Sequence, residues 1–316
     1  MSLEASSTIM YRGINGLVFF SRANQGLINI PEPRLNFIGR YPDLAASTNG
    51  IICCISMPVM KFTFQLCNPV SKDLVAISNP NRRLNIGLVF DPLNSPSHYM
   101  VVCPHTISGF MSSCDETFSQ VYGFEVFSSR TGLWRESNAA VRIFNHSYPM
   151  KRSVFAGGKL YWRMPVDILW FDHKIDYAGH LRSPVKEKGE MRSHVEIGEC
   201  RGELSYTTIT NTDIEIWIVK AKKEFEFDWV KKYNIRLADI LEKSEGLVIR
   251  RDEMRPLPFE WEGMVLFLVK AKRNGYIYTY YVKTGELKLF YKPEEMKVVP
   301  YFSYRSSLAP LPKLCG

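Results

Sequence analysis

The sequence has few of the features that define membrane, low-complexity or nucleotide-binding proteins. Its longest apolar runs, such as residues 263–269, fall far short of the roughly 20 residues that a membrane-spanning helix needs. The 20 glycines and 18 prolines in 316 residues are near average usage, which argues against collagen-like or low-complexity material. The patterns GxGxxG, GxxxxGK(S/T), HExxH and GxSxG are absent, so the common nucleotide, zinc-protease and serine-hydrolase signatures are missing.

Signals for secretion and for disulfide bonding are also missing. The first residues carry an early acid and lack both a basic region and a continuous apolar stretch, unlike a signal peptide. The seven cysteines are odd in number and form no CxxC pair, which indicates reduced, buried thiols. We therefore expect a protein of the cytoplasm or nucleus that makes no contact with a membrane.

The charge is basic, at +8 with an isoelectric point of about 9.0, but the lysines and arginines are scattered. The densest stretch, residues 220–232, is interleaved with Glu224, Glu226 and Asp228. We interpret it as a solvated hairpin loop rather than a phosphate-binding patch. The charge permits an acidic partner, and its distribution disfavours nucleic acid.

Helical periodicity is scarce, and residues 235–243 are the best candidate for a helix. Most of the chain alternates short aromatic or β-branched runs with polar turn residues, as in VYGFEVF, then SSRTG, then LW. Each such phrase predicts a strand, a turn and a return strand. Before most of these hairpins lies a glycine followed by a more apolar strand. The pattern recurs about every 45 to 60 residues, which is typical of four-stranded propeller blades. The predicted units span residues 43–78, 84–137, 150–184, 193–237 and 255–292.

The fold class predicted from this repeat is all-β, a β-propeller of six four-stranded blades. The segment 11–37 supplies two or three strands, and residues 301–311 supply one more. Together they complete a sixth blade, so that the C-terminal strand closes the ring and removes exposed sheet edges. The large tryptophans are interpreted as apolar anchors between neighbouring sheets, namely Trp134, Trp162, Trp217 and Trp229.

Candidate chemistry is sparse. His173 and His180 flank one turn with Asp172 and Asp176 nearby, yet histidines in a polar turn are more often solvated than metal-bound. The carboxylates near hairpin starts are interpreted as groups that satisfy turn backbones, namely Glu125, Asp172 and Glu215. The sequence therefore predicts no catalytic, cofactor-binding or metal-binding residue and no cofactor, and it leaves the partner-binding residues unnamed.

Several phrases, taken in order, resemble the F-box-associated domain of plant F-box proteins, a family related to kelch-type propellers. The matching phrases cover residues 43–311 and are STNGIIC at 47–53, LCNPVSK at 66–72, GLVFD at 87–91, EVFSSRTGLWRES at 125–137, GKLYW at 158–162, IEIW at 214–217, WVKKY at 229–233 and YRSSL at 304–308. In the last phrase Ser306 stands where the family usually has an acid.

The resemblance implies a protein-interaction module, the substrate-recognition domain of an F-box protein in an SCF-type ubiquitin ligase. Its partner would be a protein substrate bound at a propeller rim, with a Skp-type adaptor and a cullin present only where an F-box is supplied. We expect residues 43–316 to form the propeller domain and residues 1–42, which show no recognisable F-box, to add strands to the closing blade. The alternatives are a binding propeller outside a ligase, a propeller enzyme and a nucleic-acid binder.

Overall fold

The computed structural model is almost entirely β-structure. Its described residues form 24 strands and one short helix, α1, at Leu237–Leu241, inside the predicted 235–243. No helix among them is long and apolar enough to cross a membrane. The described residues are 7–13, 16–21, 35–38, 43–56, 63–79, 85–111, 118–144, 152–165, 167–185, 194–223, 225–243, 250–261, 263–271, 274–292, 301–305, 307 and 309–312.

Five antiparallel sheets follow one another along the chain, and each contains a path of four strands. Blade 1 consists of β3 Asp43–Thr48, β4 Ile51–Ser56, β5 Thr63–Asn68 and β6 Asp73–Ile77. Blade 2 contains β7 Gly87–Asp91, β8 Ser95–Met111, β9 Phe118–Ser128 and β10 Leu133–Glu136. Blade 3 consists of β12 Ser153–Ala156, β13 Lys159–Arg163, β14 Asp167–Asp172 and β15 Tyr177–Arg182. In blades 4 and 5 the strands are β16 Val195–Cys200, β17 Glu203–Ile209, β18 Asp213–Lys223 and β19 Glu226–Arg236; and β20 Met254–Trp261, β21 Met264–Ala271, β22 Asn274–Tyr281 and β23 Glu286–Tyr291.

The β-propeller prediction is confirmed, while the strand count of two sheets differs from it. Blade 2 has a fifth strand, β11 Val141–Phe144. The extra strand fits because β9 is 11 residues long. Along one side of β9, β10 pairs with its residues 125–128 and β11 pairs with its residues 119–122. The sixth sheet has three described strands in the order β2-β1-β24, made of β1 Ser7–Gly13, β2 Gly16–Ser21 and β24 Tyr301–Arg305.

Residue contacts divide the chain into two units. The first holds blades 1 to 3 and the C-terminal segment Tyr304–Gly316, and the second holds Ser7–Ile28 and Pro184–Ser303, with blades 4 and 5. In the second unit, isoleucines of blade 4 pack with Phe267 and Tyr278 of blade 5. The domain boundary expected at residues 42 and 43 stays a prediction.

Two of the four tryptophans tie neighbouring sheets together, as the sequence predicted. Trp162 of β13 is fully buried, and its Nε1 donates to the carbonyl of Asn85, just before β7, at 2.6 Å. Trp134 of β10 is half-buried and donates to the carbonyl of Ser78, just after β6, at 2.8 Å. Trp217 and Trp229 make ring contacts within blade 4 instead, with Lys231 and Tyr206 respectively.

The charged stretch 220–232 is not a loop, which corrects the interpretation from sequence. It belongs to β18 and β19, which continue as a ladder to the pair Lys223–Glu226. Opposite charges on the paired strands stabilise this extension, as in the ion pair between Lys222 and Asp228 at 2.5 Å. The side chains are mostly exposed, as expected of a solvated hairpin.

Candidate partner-binding cleft

The first unit contains an open cleft of about 710 Å³ between the hairpin turns of blades 2 and 3. Because neighbouring strands in each sheet are antiparallel, the turns after the first and third strands lie at the same end of the sheet. The cleft is lined from four such turns, β7–β8 and β9–β10 in blade 2 and β12–β13 and β14–β15 in blade 3. Turns on packed sheets give a rigid frame for exposed side chains.

The β7–β8 turn is held by Asp91. Its Oδ1 accepts the backbone N–H groups of Leu93 and Asn94 at 3.1 Å each, and its Oδ2 accepts the Asn94 side chain at 2.7 Å. Partial burial acts to raise the pKa of Asp91, but these hydrogen bonds and nearby Lys174 outweigh it and lower the pKa. The turn projects Leu93, 90% exposed, into solvent.

The β9–β10 turn holds a histidine through a buried hydroxyl. Ser129 Oγ accepts the backbone N–H of Tyr99 at 3.0 Å and lies 2.9 Å from His98 Nδ1. The Ser129 hydroxyl still has its own proton to donate, and in the tautomer where it donates to Nδ1 the His98 ring proton lies on Nε2. Burial, with Arg130 and His173 nearby, lowers the pKa of His98, so the ring is neutral at pH 7.

The β14–β15 turn combines anchored and exposed charges. Asp172 Oδ1 accepts the backbone N–H of Lys174 at 3.0 Å, and Oδ2 pairs with Lys159 of β13. Asp176, at φ +53°, accepts Arg135 at 3.1 Å and the hydroxyl of Ser137 at 2.7 Å, which links the turn to blade 2. These contacts leave the Lys174 side chain exposed at the cleft.

His173 is the second neutral histidine of the cleft. Burial lowers the pKa of its ring, reinforced by Lys174 and Lys159 and opposed by Asp172 and a hydrogen bond to the Gly158 backbone. Its ring packs against Phe155 with centroids 5.9 Å apart. Its Nδ1 is buried and has no hydrogen-bond partner among the described residues.

The groups weighed from sequence for catalysis or metal binding do not converge. Asp172 pairs with Lys159 and Glu215 with Lys231 at 2.6 Å, while Glu125 lies buried on β9 opposite Cys103. His180 Nδ1 is 3.8 Å from Asp167. Within the described ranges, no three histidine, cysteine, aspartate or glutamate side chains form a group able to hold a metal ion.

The described cysteines are Cys53, Cys54, Cys67, Cys103 and Cys200, and all are free and buried, as the sequence predicted. Burial raises the pKa of the Cys53, Cys54 and Cys103 thiols well above the ordinary value. These thiols are therefore protonated and poorly nucleophilic. Cys114 and Cys315 lie outside the described residues.

Sequence reasoning missed the cleft itself. The sequence predicts the SSRTG turn that lines it, but the turns of blade 2 and blade 3 are tens of residues apart in sequence. Their approach depends on how the sheets pack. The sequence does contain one signal of a shared surface, because the turn after the third strand carries a basic residue in both blades, Arg130 in blade 2 and Lys174 in blade 3.

Comparison with known proteins identifies the family. The family model described as "F-box protein At3g26010-like, beta-propeller" matches residues 16–238. The chain belongs to this family. The predicted relation to plant F-box proteins is thereby confirmed, and the match agrees with the propeller built from the sheets.

Two F-box proteins of Arabidopsis thaliana are similar to this member of the At3g26010-like family. F-box protein At5g07610 is 28% identical over 204 residues, which are 60% of this chain and 48% of the relative. F-box protein At5g49610 is 22% identical over 207 residues, 60% of this chain and 56% of the relative. The chain thus matches about half the length of these relatives. A solved structure of a Lactobacillus plantarum protein gives a TM-score of 0.43 at 11% identity, covering 94% of this chain and 99% of that one.

Proposed function

We propose that the chain is the substrate-recognition propeller of an SCF-type ubiquitin ligase, and that it binds a protein partner at the cleft between blades 2 and 3. The observation that carries the proposal is an open cleft framed by hairpin turns in a member of an F-box protein family. A propeller supplies rigid sheets, and its turns supply the variable contact surface. A Skp-type adaptor and a cullin join such a receptor through an F-box.

The chemistry of the cleft favours binding over catalysis. A serine and a histidine do meet there, but Ser129 is 1% exposed and its Oγ is engaged by the Tyr99 backbone. No carboxylate among the described residues forms an ion pair with His98, so the ring lacks the orienting acid of a hydrolase triad. The pair therefore stabilises the turn, and the proposal assigns no catalytic residue.

We further propose a cytoplasmic or nuclear location, where SCF-type ligases act. The five described cysteines are free thiols, which suits a reducing compartment.

Proximity labelling with the intact gene product in plant cells, combined with proteome measurement after its depletion, tests the ligase assignment. We expect a Skp-type adaptor among the labelled proteins, and at least one labelled protein that accumulates on depletion and loses ubiquitin. Cells that express the labelling enzyme alone are the control. Labelled proteins that include no adaptor and keep constant abundance would overturn the assignment in favour of a binding propeller outside a ligase.

A further inference from the structure

The cleft carries two positive side chains that form no ion pair with the carboxylates that the structure describes. Arg130 on the β9–β10 turn and Lys174 on the β14–β15 turn are both exposed. In the described part of the chain, neither side chain forms an ion pair, whereas Arg135 beside them is paired with Asp176. Two cations from different blades therefore line the same space.

The one carboxylate among the lining residues does not offset this charge by binding either cation directly. Both oxygens of Asp91 accept hydrogen bonds from its own turn, from Leu93 and Asn94. Lys174 is close enough to affect the pKa of Asp91, but the two form no ion pair. The potential of the cleft stays positive, which favours an incoming anion.

The neutral groups of the cleft add hydrogen-bonding capacity. In the tautomer where Nδ1 accepts the Ser129 hydroxyl, His98 presents its Nε2–H as a donor. Carboxylate and phosphate oxygens are strong acceptors for cationic and N–H donors.

Apolar surface lies beside the charges. Leu133 at the start of β10 is 68% exposed, and Phe155 of β12 is partly buried beside His173. Both line the cleft together with Trp134. Exposed apolar side chains next to uncommitted charges are typical of protein-binding surfaces, where a buried apolar contact is rimmed by polar ones.

We propose that this cleft binds a segment of the partner protein in which an anionic side chain, carboxylate or phosphate, contacts Arg130 and Lys174. A neighbouring apolar side chain of the segment packs on Leu133 and Phe155. This inference rests on the proposed receptor function and specifies the partner's chemistry. Nucleic acid fits less well, because non-specific binding relies on many phosphate contacts and the cleft offers two uncommitted cations.

Fluorescent peptide pools test the proposal with the full chain. Each pool has the same random flanks around a central Leu–X pair, where X is Glu, phosphoserine, Ser or Lys. We expect the Glu or phosphoserine pool to bind about tenfold more tightly than the Lys pool, since opposite charges attract and like charges repel at such a surface. Preference for phosphoserine over Glu identifies phosphate as the anion, and equal binding of the two shows that a carboxylate suffices.

The double variant R130S/K174S should abolish this preference, and L133S should weaken the binding of the Glu and phosphoserine pools alike. The matched control K270S/K283S removes the same charge from two exposed lysines of blade 5, one on β21 and one in the turn after β22, outside the cleft, and should behave as the unaltered protein. Thermal unfolding checks that all variants fold.

Binding of both the Glu and the phosphoserine pools no tighter than that of the Lys pool, or a preference that survives R130S/K174S, would overturn the proposal. A single-stranded oligonucleotide that binds more tightly than any pool, and loses binding in R130S/K174S, would assign the cleft to nucleic acid instead. If the labelling experiment finds the adaptor while the pools show no preference, only the partner chemistry fails. If the pools behave as expected while no adaptor is labelled, only the ligase assignment fails.

Discussion

Trp162 illustrates how a single residue holds two blades together. Its indole is buried against Phe124 of blade 2, with ring centroids 6.0 Å apart, and its N–H reaches the Asn85 carbonyl. Gly87 belongs to the same contact, because a Cβ at that position would lie 2.7 Å from Trp162 Cζ2. The absence of a side chain at Gly87 lets the indole approach the β7 backbone.

Trp162→Phe is expected to destabilise the protein more than Trp134→Phe. Both changes keep an aromatic ring and remove one indole N–H, but the Asn85 carbonyl is partly buried whereas the Trp134 hydrogen bond is exposed to water. The unsatisfied carbonyl should cost about 1–3 kcal/mol in the first variant, against less than about 1 kcal/mol in the second. Denaturant unfolding measures the free energy of unfolding of both variants. Equal losses would show that the hydrogen bond of Trp162 stabilises the protein no more than that of Trp134.

At the scale of the element, the hairpins were predictable because the residues of each hairpin specify its strands and its turn locally. Alternating apolar residues specify strands, and phrases such as Thr131-Gly132 specify reversals, so the five blade units match the sheets within a few residues. The β18–β19 hairpin was predicted too, but its extension to the pair Lys223–Glu226 was not, because cross-strand ion pairs stabilise this extension and a lysine-rich composition is typical of loops. The cleft escaped for a related reason, since it depends on packing between sheets.

Asn68 of blade 1 illustrates how one turn residue also binds the C-terminal segment. Asn68, fully buried at the end of β5, donates to the carbonyls of Ser307 at 2.9 Å and Ala309 at 2.8 Å. Its Oδ1 accepts the backbone N–H of Val70 at 2.9 Å, which shapes the turn into β6. One side chain therefore stabilises both a local reversal and a contact more than 230 residues away in sequence.

Asn68→Ala is therefore expected to lower the free energy of unfolding by about 2–4 kcal/mol, because it leaves two carbonyls and a turn N–H without their partner. Asn94→Ala is the matched control, since Asn94 is also a turn asparagine but its hydrogen bonds are exposed. The control should lose less than about 1 kcal/mol. Chemical denaturation of both variants decides the matter, and similar losses would mean that Asn68 acts only within its own turn.

At the scale of the whole molecule, the ends of the chain meet in one sheet. Strand β24, from near the C-terminus, pairs with β1 from near the N-terminus, and the residues after β24 lie on blade 1. Such pairing covers a sheet edge that would otherwise expose unpaired backbone groups. The sequence predicted this arrangement, since the strand patterns of residues 11–37 and 301–311 each read as an incomplete blade.

Deletion of residues 298–316 should therefore lower the melting temperature by about 8 °C or more. In a domain of about this size, each kcal/mol of lost stability lowers the melting temperature by roughly 2–4 °C. The deletion removes β24 from β1, the carbonyls that Asn68 binds, and Leu311, which is buried with the core of blades 1 and 2. Deletion of residues 313–316 is the control, because it keeps β24, the carbonyls that Asn68 binds and Leu311, and it should therefore lower the melting temperature by less. Differential scanning calorimetry distinguishes the two, and an unchanged melting temperature in the longer deletion would contradict a stabilising role for the C-terminal strand.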